Sequence, residues 1–62
     1  MQIAGKTAYV KPLEAINGLP AYRVRLGDIA TILQKKEGAW TGAYLDDAQI
    51  AGIGAWIEQE EL

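Results

Sequence analysis

Between Ala21 and Gln34 the chain alternates apolar and polar side chains on both sides of Gly27-Asp28. A two-residue turn with glycine first joins antiparallel strands. It would set Leu26 against Ile29, Val24 against Thr31, and Tyr22 against Leu33. Those six share one face, and it is nearly all apolar. The other face carries Ala21, Arg23, Arg25, Ala30, Ile32 and Gln34, with no aromatic ring among them. A slip of one residue would exchange the two sets, so polarity and register support the same hairpin.

The remaining elements follow from weaker local signals. Lys6 to Lys11 reads as a first strand that Pro12 ends. Residues 12–20 read as a connection, rich in turn formers at Pro12, Asn17-Gly18 and Pro20. Its Leu13, Ile16 and Leu19 suit it to cover part of the core. Lys36-Glu37-Gly38 reads as a turn into a short strand, Ala39 to Thr41. The last segment has a helix-start signature: Asp46 caps, Gln49 completes a capping box, and Leu45 and Ile50 form a hydrophobic staple. A helix over about 47–60 places Ile50, Ile53, Gly54 and Ile57 on one side. The expectation is a single α+β domain spanning 1–62. It has a small antiparallel sheet of three to four strands (about 6–11, 21–26, 29–35 and 39–41), with one C-terminal helix across one face.

Composition narrows the class. Sixty-two residues with half of them hydrophobic make one small folded domain rather than a disordered chain. Without cysteine or histidine, disulfides and the usual zinc sites are excluded. No apolar run approaches the roughly 20 residues of a membrane helix, and the first residues do not resemble a signal peptide. A cytoplasmic location is therefore expected. Net charge is −2, too small for strong general attraction to nucleic acid or anionic membrane. Its distribution is uneven. Residues 1–36 hold all six cations against Glu14 and Asp28, a net of +4, and residues 37–62 hold six carboxylates and no cation, a net of −6. The halves can attract each other within one fold, or a charged face can meet a partner of opposite sign.

Catalytic motifs fail on spacing. Gly5-Lys6-Thr7 matches the end of a phosphate-binding loop, but the earlier glycine that loop needs would fall before Met1. Gly52-Ile53-Gly54 lies inside the helix, with Ile57 where a dinucleotide fingerprint needs its third glycine. The chain has no serine, cysteine or histidine, so Thr7, Thr31 and Thr41 lack a histidine base. The carboxylates have no calcium-loop spacing. No enzyme, cofactor or metal is expected.

Two surfaces remain as candidates. Ala48, Ala51, Gly52 and Ala55, flanked by Trp56, make a helix side too small and apolar for ordinary solvent exposure. The two glycines inside the helix, Gly52 and Gly54, each cost about 1 kcal/mol of helix propensity against alanine. This side is the candidate interface with a protein partner or a second copy, and makes a protein-interaction module the leading expectation. Arg23, Arg25 and Lys35 form the alternative, a basic sheet face for weak binding of nucleic acid or another polyanion.

Overall fold

A computed structural model describes residues 1–62. Five strands, β1 (Gln2–Ile3), β2 (Lys6–Ile16), β3 (Leu19–Leu26), β4 (Ile29–Lys36) and β5 (Ala39–Thr41), precede one helix, α1 (Asp47–Glu60). The strands lie side by side in chain order, each antiparallel to the next. The architecture is the expected α+β one, with one strand more than the upper expectation. Every hairpin turn is two residues long. Ala4-Gly5, Asn17-Gly18 and Glu37-Gly38 have both central residues at positive φ, while Gly27-Asp28 has only Gly27 there. Both patterns follow the right-handed twist of the flanking strands, which is why such short turns suffice.

The central hairpin has the register that its polarity predicts: Leu26 faces Ile29, Val24 faces Thr31, and Tyr22 faces Leu33. The expected connection at 12–20 is instead strand and turn, because β2 continues through Pro12 to Ile16. Pro12 is tolerated for a geometric reason. Leu26 and Ile29 close a two-residue turn, so they form a hydrogen-bonded pair, and alternation makes Tyr22–Leu33 another. Tyr22 therefore directs its backbone groups toward β4. Pro12, opposite Tyr22 on β2, points its missing N–H at the outer edge. β1 was not expected. It is two residues long and is held partly by paired bonds between Met1 and Ala8, at 2.9 and 2.7 Å.

Helix α1 covers one side of the sheet. Tyr22, Val24 and Leu33 form a core cluster with Ile50, Ile53 and Ile57, and Leu26 and Ala8 are buried as well. The N-terminus has the expected capping box: Gln49 N donates to Asp46 Oδ1 at 2.8 Å, and Asp46 N donates to Gln49 Oε1 at 3.0 Å. Such a cap contributes about 1 kcal/mol. At the other end Glu61 turns left-handed, and its amide and that of Leu62 donate to the carbonyls of Glu58 and Ile57. The Tyr22 hydroxyl donates to the Leu62 carbonyl at 2.7 Å, tying the chain end to the sheet.

Candidate functional site on the open sheet face

The face of the sheet away from α1 is exposed at Tyr9, Lys11, Arg23, Arg25, Ala30 and Ile32, whereas Ala21, expected on the same face, is buried between Leu13 and Gln34. Its composition is set by two registers. Arg23 and Arg25 point outward from β3 because Tyr22, Val24 and Leu26 point in. On β2, Tyr9 lies opposite Arg25 and Lys11 opposite Arg23; on β4, Ala30 and Ile32 complete the two rows. Tyr9 is 67% exposed and Ile32 41%.

Thr7, Tyr9, Lys11, Arg23, Arg25 and Gly27 line a shallow concavity of about 510 Å³. A smaller hollow of about 270 Å³ continues from Arg23 to Ala30, Thr31 and Ile32. Three cations line the larger one, and no carboxylate does. The fold's one ion pair lies elsewhere, between Lys35 and Glu58, so Lys11, Arg23 and Arg25 have no acidic partner. Lys11 and Arg23 are moreover directly opposed across adjacent strands, an arrangement of like charges that destabilises a sheet.

Lys35, grouped with Arg23 and Arg25 on sequence grounds, is on the other side. It lies 5.7 Å from the Trp40 ring centre and pairs with Glu58 of α1. That hydrogen bond is the main reason the Glu58 carboxyl is held below its ordinary value of 4.5. Tyr9 and Lys11 were absent from the sequence-based grouping, because their places opposite Arg25 and Arg23 depend on an irregularity in the β2–β3 pairing between Leu13 and Ile16.

The helix side proposed as an interface is divided. Ala48, Ala51 and Ala55 are exposed. Gly52 is half-buried against the N-terminal hairpin: a Cβ there would lie 3.0 Å from Ile3 Cδ1. Trp56 is half-buried and packs on the core. Gly54 belongs to the buried stripe, where the Trp40 ring rests on its backbone.

No three carboxylates come together to hold a metal ion, and no helix is long and apolar enough to cross a membrane. Comparison with protein-family models, curated proteins and solved structures finds no significant match.

Proposed function

We propose that the protein is a non-enzymatic binding module whose working surface is the open sheet face, and that it takes a polyanionic ligand there. The observation that carries this reading is the Lys11–Arg23 opposition. Like charges facing each other without an ion-pair partner give the fold nothing, and a local conflict of that kind is expected where a surface serves a ligand. Arg25 and the exposed Tyr9 extend the same patch. The alanine side of α1 is the weaker candidate. Gly52 and Trp56 already have partners within the fold, which leaves three exposed alanines.

Binding to inorganic polyphosphate tests the reading. The assay belongs near 10 mM salt, where charges interact over roughly 30 Å. Wild type should bind, and R23A/R25A should lose most of that affinity while A51E keeps it. Binding should weaken steeply as salt rises. Failure of wild type to bind any polyanion at that ionic strength would remove the proposal.

A further inference from the structure

We infer that the ligand of the open face is single-stranded nucleic acid, with a base stacked on Tyr9 and phosphates at Lys11, Arg23 and Arg25. The inference rests on the polyanion reading and narrows it. Tyr9 is the discriminating residue. The residue is 67% exposed on a face whose other main features are cations. A ligand of phosphates or carboxylates alone would use the three charges and leave the ring idle.

The surroundings of Tyr9 suit a planar group. Arg25 stands directly across from it and offers a second flat, cationic surface. Ala30 lies beyond Arg25 in the same row, so the strip stays low toward β4. The neighbouring row, Lys11–Arg23–Ile32, sets two cations beside that strip and ends in an exposed apolar side chain. Charged tracks beside aromatic platforms are how single strands are held without sequence readout, since every base has a π-face. In a duplex those faces are stacked on one another and are not offered to Tyr9. The open face also presents no helix or ribbon to enter a groove.

Fluorescence anisotropy with a labelled deoxythymidine oligomer of about 12 nucleotides, within the site sizes of sheet-based binders, tests the assignment. The comparison probes are an abasic oligomer of equal length, a duplex and polyglutamate. The thymidine oligomer should bind best, with log K falling against log salt at a slope of about −2, as three phosphate contacts on a single strand dictate. Y9A should weaken that binding by about 5- to 150-fold, the range of one lost stacking contact, and Y9F should preserve it. Affinity for the abasic oligomer should be the same in wild type and Y9A. Because Tyr9 is largely exposed, Y9A should melt as wild type does. Equal binding of the thymidine oligomer by wild type and Y9A overturns the nucleic-acid assignment and leaves the polyanion reading standing. So does binding of any comparison probe as tight as the thymidine oligomer. If none of the four probes binds at low salt, the polyanion reading falls too.

Discussion

Glycine inside a helix costs stability, and α1 has two such residues that do different things. A Cβ on Gly54 would lie 2.3 Å from Trp40 Cδ1 and 2.6 Å from both Cγ and Nε1. Those atoms belong to a rigid ring, itself set against Tyr22 at a centroid distance of 5.6 Å and hydrogen-bonded to Glu58. Gly54 therefore lets α1 approach β5 closely. The Gly52 Cβ would meet only the tip of Ile3, at 3.0 Å, on a two-residue strand at the edge of the sheet. The two alanine substitutions should consequently differ. Gly54→Ala gains about 1 kcal/mol of helix propensity but forces the ring aside, at the 1–3 kcal/mol typical of overpacking. A net loss of up to about 2 kcal/mol is expected. Gly52→Ala should be neutral or slightly stabilising. Urea denaturation of both variants checks this, and a Gly54→Ala protein as stable as wild type would mean that the ring does not need the space. Neither pairing was legible in the sequence, because the contact joins residues 40 and 54 across two elements. Only the propensity conflict was visible.

Among the elements, those with local causes were legible and those with remote causes were not. The β3–β4 hairpin and α1 follow from side-chain parity, a two-residue turn and a capping box, all within a few residues of one another. β2 depends on a bulge. Glu14 and Ala15 stand against Pro20 alone, between the pairs Leu13–Ala21 and Ile16–Leu19. Counting back from Ile16–Leu19 without it would set Tyr9 against Leu26, on the helix side. The extra residue moves Tyr9 to Arg25, so half of the open face exists because of a bulge that no residue type announces. The α1–β4 junction has a similar remote cause. Three carboxylates crowd the negative end of α1, and Lys35 from β4 answers one of them, Glu58. Because the Lys35 hydrogen bond keeps the Glu58 carboxyl below 4.5, the unfolded chain takes up this proton at higher pH than the folded one. The pair's contribution is thus complete above about 4.5 and is lost as pH falls through the lower folded value. In NMR titrations, Lys35→Met should raise the Glu58 midpoint toward 4.5. Glu58→Gln should flatten the acid side of the stability curve. An unmoved midpoint would show that Lys35 does not hold this carboxylate.

Across the whole molecule charge is sorted by face. Lys35 neutralises part of the helix side, where the carboxylates of α1 gather, while the open side keeps Lys11, Arg23 and Arg25 without counter-charge. The half-chain asymmetry in sequence, +4 against −6, is therefore only slightly resolved by internal pairing, with a single bridge between the halves. A domain of 62 residues has little stability to spare, so unrelieved repulsion on one face has measurable consequences. Lys11→Thr removes the charge opposite Arg23 and supplies a residue that favours strands. It should raise stability by about 0.2–1 kcal/mol, the scale of a cross-strand pair, while weakening polyanion binding. Salt should stabilise wild type by screening the opposition, and should stabilise the variant less. A saturating polyanion should do more: at a hundred times its Kd it adds about 2.7 kcal/mol, more than ten degrees in Tm for a domain of this size. At the same polyanion concentration that increment should shrink in Lys11→Thr, whose Kd is higher. Opposite movements of stability and binding on one substitution are the mark of a surface kept for a ligand. If Lys11→Thr instead lowers both, Lys11 supports the sheet and the functional reading of this face loses its ground.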